Sequence, residues 1–245
     1  MSAPRTARER VREEMTTEIM TAARERVARE GAAALSVRSV ARDLEMAPSA
    51  LYRYFDGRDA LLSALILHAY ESLAAEAERA AVRAAVRAAA ATPQPEAGSS
   101  GDTERFLVVP RAIRCWALEH PHEWGLIFGT PVPGYQAPED TVEPYARIAA
   151  AMVRPVVEAN AAGRLGADLH RRAVSNELRD AVAPVTEGLF PDVPTVNVVL
   201  AIQAWTTLVG IISLEVFGHW RNTILEPEEF FEATIRDLAA TAGLS

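Results

Sequence analysis

The sequence predicts an all-α protein, and three observations lead to that prediction. Leu, Ala, Glu and Arg are abundant in the 245 residues, and these residues favour helix over strand. Apolar residues recur at helical spacing, for example at Ile19, Ala23 and Val27, and no segment shows the alternation of a half-buried strand. Pro, Gly and Ser concentrate in residues 92–101 and 129–138, which we expect to be loops.

Capping and breaking residues place ten helices along the chain. Gly31 follows the first helix, Ser36 is a good N-cap for the second, and Pro48 suits the first position of the third. Asp56 precedes a long fourth helix with an alanine-rich end. The predicted spans are 16–30, a short helix after residue 36, 48–54, 58–91, 102–119, 121–128, 139–162, 169–183, 195–220 and 228–242.

Charge is distributed unevenly along the chain. The formal net charge is −8, yet residues 1–60 hold 11 Arg against 10 acidic residues, a balance of +1 that leaves −9 for the remainder. Because phosphate repels an acidic surface, a nucleic-acid contact is expected in the N-terminal part.

The sequence favours a cytoplasmic protein. Cys115 is the single cysteine, so no intrachain disulfide forms, as expected in a reducing compartment. The Arg- and Glu-rich N-terminus lacks the apolar run of a secretory signal. Residues 196–217 are apolar enough to suggest a transmembrane helix, but Asn197, Gln203 and Glu215 interrupt the apolar run. We therefore expect a buried helix there, and no membrane.

Residues 35–62 carry the pattern on which the functional prediction depends. They read LSVRSVARDLEMAPSALYRYFDGRDALL, which predicts two short helices separated by a tight turn. This spacing suits a helix-turn-helix, whose second helix enters the major groove of DNA. Two short helices can also pair for purely structural reasons, so the pattern alone leaves both interpretations open.

The same segment resembles the DNA-binding region of the tetracycline-repressor (TetR) family. Residues 36–41 match the capped, apolar second helix, residues 51–55 (LYRYF) match the family's Leu-Tyr-x-x-Phe segment, and Arg58 is the basic residue that opens helix 4. The match covers about residues 15–65.

The resemblance implies an architecture of two parts. A three-helix helix-turn-helix head is expected in residues 1–62, with residues 1–14 as a basic arm. A long helix 4 would join it to a C-terminal helical ligand-binding and dimerisation domain in residues 63–245. In the family the last two helices form a four-helix bundle with a second subunit, which implies a homodimer through residues 195–220 and 228–242.

Eight residues are candidates for contact with double-stranded DNA. Ser36, at a helix N-terminus, and Arg58 can bind phosphate, while Arg38 and Arg53 can reach a guanine edge. The full set is Ser36, Arg38, Ser49, Ala50, Tyr52, Arg53, Tyr54 and Arg58.

Each of these assignments has a structural alternative. In the family the residues matching Tyr52 and Tyr54 contact the DNA backbone, but Tyr52 would serve equally well in half-buried packing. Arg38 and Arg53 would otherwise be solvated side chains. The N-terminal arm, with Arg5, Arg8, Arg10 and Arg12, could follow the minor groove. Its interleaved Glu residues make a disordered, mixed-charge tail the alternative.

Two positions depart from the family's usual pattern. Glu45 stands at a turn position where Gly is frequent, and Ala47 stands where Ser or Thr often caps the recognition helix. Glu45 is therefore expected to hold a strained positive φ, and Ala47 to be a weak N-cap. The alternative is a turn with negative φ and Glu45 facing solvent.

A ligand pocket is expected between helix 4 and the helices behind it, for an unknown and apolar small molecule. Residues 116–138 and 204–220 resemble the sensor domain of a TetR subgroup. The candidate walls are large aromatic side chains, each with plain core packing as its alternative: Trp116, Trp124, Phe128, Tyr135 and Trp205. On the dimer face, we expect apolar area from Leu208, Ile211, Leu214 and Phe217, and close helix approach at Gly210 and Ser213.

The predicted function is a ligand-responsive, DNA-binding repressor that acts on a palindromic operator. The sequence has no nucleophile elbow, HExxH, Walker loop or dinucleotide fingerprint, so we expect neither an enzyme nor a cofactor. Residues 120–123 (HPHE) are interpreted as a helix start, with a metal site as the alternative. Cys115 is interpreted as a buried thiol, with a redox sensor as the alternative. A helical interaction protein without DNA binding is the remaining hypothesis.

Overall fold

The structure is a computed structural model that describes residues 6–90, 100–136, 138–166, 174–189 and 193–244. These residues form ten α-helices and no strand, which confirms the predicted all-α class. The helices are α1 (Ala7–Glu30), α2 (Val37–Asp43), α3 (Pro48–Leu51), α4 (Arg58–Ala90), α5 (Ser100–Glu119), α6 (Pro121–Phe128), α7 (Val142–Ala161), α8 (Asn176–Leu189), α9 (Thr195–Val216) and α10 (Pro227–Thr241).

The predicted start of the first helix was wrong. Helix α1 begins at Ala7 instead of residue 16, because Thr6 and Glu9 form a capping box that starts it earlier. The Thr6 hydroxyl accepts from the Glu9 amide, and the Glu9 carboxylate accepts from the Thr6 amide. Residues 7–14 of the predicted basic arm are therefore helical, and Arg5 lies outside the described residues.

Other predicted boundaries also differ from the structure. The eighth helix spans Asn176–Leu189, not 169–183, and the start that we predicted falls partly outside the described residues. The third helix ends at Leu51, and residues 52–54 continue as a turn. Most of the predicted loop at 92–101 lies outside the described residues, and its last two residues begin α5.

The chain divides into two compact units. The first comprises Met1–Tyr70 with His122–Thr141, and the second comprises Glu71–Pro121 with Val142–Ser245. The functional division at residue 62 stays a prediction. The first unit thus includes α6 and the segment after it, which we had grouped with the C-terminal part.

The core of the first unit joins α1, α2, α3 and the start of α4. Its fully buried side chains include Ile19, Val40, Leu51 and Leu61. Apolar side chains of the α6 segment pack against the same cluster: Leu126, Ile127, Val132 and Tyr135. Burial of one such Leu or Ile side chain contributes about 1.5–3 kcal/mol, so this cluster is the main stabilising feature of a unit with short helices.

In the second unit, α9 packs against several other helices. It contacts α5, α7, α8 and α10. By length and apolar composition Thr195–Val216 could cross a membrane. We infer that it is a core helix, because residues on its inner face, such as Leu208 and Ile212, are fully buried by the other helices.

Buried and half-buried ion pairs connect the helices of the second unit. On α5, Arg111 bonds Glu232 of α10 at 2.7 Å and Arg114 bonds Glu215 of α9 at 2.6 Å. The hydrogen bonds from Arg111 hold the pKa of Glu232 below its usual range. Both pairs are bidentate contacts of a guanidinium with a carboxylate, and the two parallel hydrogen bonds fix the orientation of one helix against the other.

The turn between α2 and α3 contains a left-handed residue, as predicted. Glu45 has φ of 53°, Met46 N–H donates to Ala41 C=O at 2.8 Å, and Glu45 N–H donates to Arg42 C=O at 3.2 Å. This pair of bonds is a Schellman motif with Glu45 at the position that usually holds Gly. The motif ends α2 abruptly and turns the chain toward α3.

We predict that Glu45→Gly raises the free energy of unfolding by about 1 kcal/mol, because Gly holds positive φ without the steric cost that Glu meets. It should also raise non-specific DNA affinity by removing a carboxylate near phosphate, whereas Glu45→Gln should raise affinity alone. Urea unfolding and titration with random duplex measure the two effects. As a control, Arg42→Gly within α2 should destabilise the protein. A loss of stability in Glu45→Gly would contradict the prediction.

The N-cap of α3 is Ala47, as predicted, and its side chain makes no capping hydrogen bond. We predict that Ala47→Ser stabilises the protein by about 0.5–2 kcal/mol, since a hydroxyl there can accept from an unpaired amide of the first turn. The measurement is the melting temperature. The control is Ala240→Ser, at an exposed position inside α10, which should lower it slightly because Ser is a weaker helix former. Equal shifts in both variants would refute the capping explanation.

Candidate nucleic-acid interface and apolar cavity

The α3 segment presents polar side chains on one side and buries apolar ones on the other. Leu51 and Phe55 lie in the core of the first unit, as expected. Ser49, Tyr52 and Arg53 are exposed, and Ala50 and Tyr54 are half-buried. Tyr52 is 47% exposed, which is more than its alternative role in packing would leave. The exposed side chains of α3 therefore face away from the core and are available to a ligand.

Helix α2 begins with a capping box that also uses the predicted phosphate ligand. The Ser36 hydroxyl accepts from the Ser39 amide at 3.1 Å, and Ser39 Oγ accepts from the Ser36 amide at 3.2 Å. The adjacent Arg38 is exposed, and within the described residues neither Arg38 nor Arg53 forms an ion pair. Both cations are thus exposed and have no acidic partner in the described part of the chain.

Arg58 has a structural role that the sequence did not predict. Its Nε donates to Leu35 C=O at 3.1 Å and its Nη2 to Ala32 C=O at 3.3 Å, while Nη1 lies 3.2 Å from Asp59. The guanidinium therefore holds the turn that precedes α2. A phosphate contact by Arg58 stays a prediction, and it would use the part of the guanidinium that faces Asp59 and solvent.

Sequence reasoning missed the pair that fixes α1 against α2. Arg26 is buried on the apolar stripe of α1 and bonds both carboxylate oxygens of Asp43 at 2.8 Å, and Glu30 at 2.7 Å. The hydrogen bonds from Arg26 lower the pKa of Asp43. The signal for this ion pair in the sequence is the position of Arg26, a charged residue that continues the helical spacing of the apolar Ile19 and Ala23.

The five predicted ligand walls are divided between the two units, and their role in a ligand pocket stays a prediction. Phe128 packs on Trp124, with ring centroids 4.5 Å apart, and on Tyr70 at 6.0 Å, all within the first unit. Also in that unit, Tyr135 lies with its hydroxyl 3.0 Å from Ser63 Oγ. In the second unit, Trp116 donates from Nε1 to Ser72 Oγ at 3.1 Å. Trp205 is the one of the five that lines a cavity described below.

The cavity has a volume of about 260 Å³ and lies within the second unit. Its walls come from α5, α7, α8, α9 and the end of α10, whereas the pocket that we predicted was bounded by helix 4. The lining is mostly apolar and carries no charged side chain among the described residues: Phe106, Tyr145, Ala149, Met152, Val153, Val156, Val185, Asn197, Val198, Leu200, Ala201, Ile202, Ala204, Trp205, Thr206 and Ala242.

Three polar groups of the wall differ in their bonding. Trp205 bonds the Tyr145 hydroxyl, and burial raises the pKa of Tyr145. The Thr206 hydroxyl donates to Ile202 C=O at 2.8 Å. Asn197 is 4% exposed, and its Nδ2 has no hydrogen-bond partner in the described part of the chain. An unpaired buried amide costs on the order of 1–3 kcal/mol.

Cys115 is exposed, so the prediction of a buried thiol was wrong. Its sulfur donates to the Glu119 carboxylate at 3.4 Å, and this bond raises the pKa of Cys115. His120 stacks on Trp116 with its Nδ1 2.9 Å from Trp116 C=O. No group of three or more metal-ligating side chains occurs within the residues that the structure describes.

Comparison with protein families finds two matches that together cover most of the chain. Residues 19–65 match the family described as bacterial regulatory proteins, tetR family. Residues 106–238 match the family described as tetracyclin repressor-like, C-terminal domain. The first match contains α2, the turn at Glu45 and α3, and the second contains the cavity walls from Phe106 to Thr206.

Individual relatives match nearly the whole chain. The HTH-type transcriptional regulators Rv1816 of Mycobacterium tuberculosis and Mb1846 of Mycobacterium bovis are each 34% identical over 240 residues, which is 94% of this chain and 92% of theirs. The crystal structure of the regulatory protein SCO4313 is 31% identical, with a TM-score of 0.75 over 97% of this chain and 100% of its own. A tetR-family protein from Rhodococcus RHA1 shares the fold, with a TM-score of 0.58 at 15% identity over 94% of this chain and 97% of its own. The chain belongs to the tetR family of DNA-binding transcriptional regulators.

Proposed function

We propose that this regulator is a repressor that binds a palindromic operator as a homodimer and is released by a small, mostly apolar ligand. The observation that carries the DNA contact is the exposed pair Arg38 and Arg53, which have no acidic partner among the described residues. Arg53 reads a guanine edge in the major groove, and Arg38 contacts a phosphate or a base edge. Ser36, Ser49, Ala50, Tyr52 and Tyr54 complete the contact, and Arg58 adds a phosphate contact. Regulators of this kind act in the cytoplasm.

An exposed stripe on α9 supports the homodimer. Gln203, Thr207, Gly210, Leu214 and Phe217 are exposed, and they follow one another at intervals of four, three, four and three residues. This is the spacing of a helix seam that packs against a second helix. Of the residues that we expected on this face, Leu208 and Ile211 are buried within the chain and so are not part of it.

The beginning of α10 and the turn before it add two exposed apolar side chains. Phe230 is 46% exposed and Leu225 is 88% exposed. Large apolar side chains left in water are unfavourable, and a cluster of them marks an interaction surface. At Gly210 an added Cβ would meet no atom within 4 Å, so the seam has room for the close approach of a second helix. We therefore propose α9 and α10 as the homodimer interface.

Selection of random duplexes with the purified protein should return an inverted repeat, bound by a dimer. A two-fold protein presents two identical α3 segments, so its half-sites must be related by the same symmetry. Sequencing of the selected pool gives the operator, and sedimentation gives the stoichiometry. An asymmetric single site bound by a monomer would contradict the proposed function.

Two glycine variants serve as the matched test of the interface in this experiment. Gly210→Arg places a long charged side chain in the seam and should give a monomer with lost operator binding. Gly188→Arg makes the same change in α8, at an exposed helical glycine that also has open space, and should stay a dimer. A dimeric Gly210→Arg protein would place the interface elsewhere.

We predict that Arg53→Ala relaxes base preference at one position of each half-site, with a loss of about 1–3 kcal/mol there. Arg58→Ala should weaken binding to all DNA sequences equally and reduce the salt dependence of binding. Affinities for single-base operator variants at several salt concentrations separate the two effects.

The melting temperature of Arg58→Ala is the control, because this side chain also holds the carbonyls of Ala32 and Leu35. A lower melting temperature with an unchanged salt dependence would mean that Arg58 positions α2 and does not contact phosphate. A change of preferred sequence in Arg58→Ala, with none in Arg53→Ala, would reverse the two roles.

A further inference from the structure

The apolar cavity contains one polar group that the protein itself leaves unused. Asn197 is the third residue of α9, its backbone amide donates to Pro194 C=O at 2.9 Å, and the residue is part of the cavity wall. Its Nδ2 is buried without a hydrogen-bond partner in the described part of the chain. Buried amides are almost always paired, so a lone one beside a cavity points to a partner that arrives from outside.

The other polar groups of the wall are already bonded within the chain. The Thr206 hydroxyl donates to the carbonyl one turn earlier, and the Tyr145 hydroxyl is bonded by Trp205. A ligand therefore meets a mostly apolar wall, in which Asn197 is the residue with a buried polar atom that has no partner in the described part of the chain. Since the described wall has no cation and no carboxylate, a charged ligand would lose its hydration with no compensating ion pair.

We propose that Asn197 is the specificity-determining residue of the effector cavity, and that it donates a hydrogen bond to a carbonyl or ether oxygen of a neutral, otherwise apolar ligand. This inference rests on the proposed ligand response and adds the chemical class of the effector. Apolar contact supplies the affinity. The Asn197 amide selects among apolar molecules by favouring those that place an oxygen within hydrogen-bond distance of it, because a hydrocarbon leaves the amide unpaired.

Three naphthalene derivatives of nearly equal size test the proposal. 2-Acetylnaphthalene has a neutral acceptor, 2-ethylnaphthalene has none, and 2-naphthoate carries a charge. Isothermal titration calorimetry of the full-length protein should give the acetyl compound about tenfold tighter binding than the ethyl compound, the gain of one hydrogen bond that pairs the amide. The naphthoate should bind most weakly of the three.

The near-isosteric variant Asn197→Leu should remove this preference. It should keep or improve the binding of 2-ethylnaphthalene and bring the ratio of the two dissociation constants to about 1. Thr206→Val is the matched control, because it removes a wall hydroxyl whose proton is already donated to Ile202 C=O. This variant should leave the ratio of the two dissociation constants unchanged. If Asn197→Leu does not fold, Asn197→Ala gives the same comparison with a smaller side chain.

The preference of the unmodified protein and its dependence on Asn197 decide the outcome. An unchanged ratio in the Asn197 variants, tightest binding of naphthoate, or no binding of any compound would overturn the proposal. Because these titrations contain no DNA, their failure is separate from failure of the proposed repressor, which the operator selection measures.

Discussion

Burial of Leu51 and Phe55 holds the DNA-recognition segment in place. Helix α3 has four residues, and a helix of that length is not stable in water by itself. Its position therefore comes from the core beneath it, where Leu51 is fully buried and Phe55 is 9% exposed. The exposed Ser49, Tyr52 and Arg53 are rigidly presented only because the two apolar side chains are fixed. The proposed DNA contact thus depends on hydrophobic packing a few residues away from it.

Two further constraints set the angle between α2 and its neighbours. The left-handed Glu45 ends α2 and redirects the chain, and the ion pair of Arg26 with Asp43 fixes α2 on α1. The pair also offsets the charge of the Asp43 carboxylate, which lies two residues before the turn residue Glu45. Arg38 and Arg53 lack such partners among the described residues, which leaves their charge available for the proposed DNA contact. The local arrangement of charge, rather than the net charge of −8, is therefore what permits DNA binding by an acidic protein.

The second unit uses its charges in the opposite way. Arg111, Arg114 and Arg147 are each bonded to carboxylates of other helices, so these cations are used for helix packing. None of these charged side chains lines the cavity, and Asn197 Nδ2 is the buried polar atom of its wall that has no partner in the described structure. The exposed seam of α9 begins beside the cavity, since Ile202 and Thr206 line the cavity and Gln203 and Thr207 belong to the seam. One helix therefore contributes to both proposed functions of this unit.

The sequence by itself determined the helical class, the helix-turn-helix with its departures at Glu45 and Ala47, and the family. These features depend on residues within a few positions of one another, because caps, turns and helical spacing are local interactions. Only the tertiary structure decided which aromatic side chains line a cavity, that Arg58 holds backbone carbonyls, and that Leu208 faces inward while Leu214 faces out. Each of those outcomes depends on contacts between residues far apart in the chain, and a helix with apolar side chains on both faces does not itself specify which face its neighbours cover.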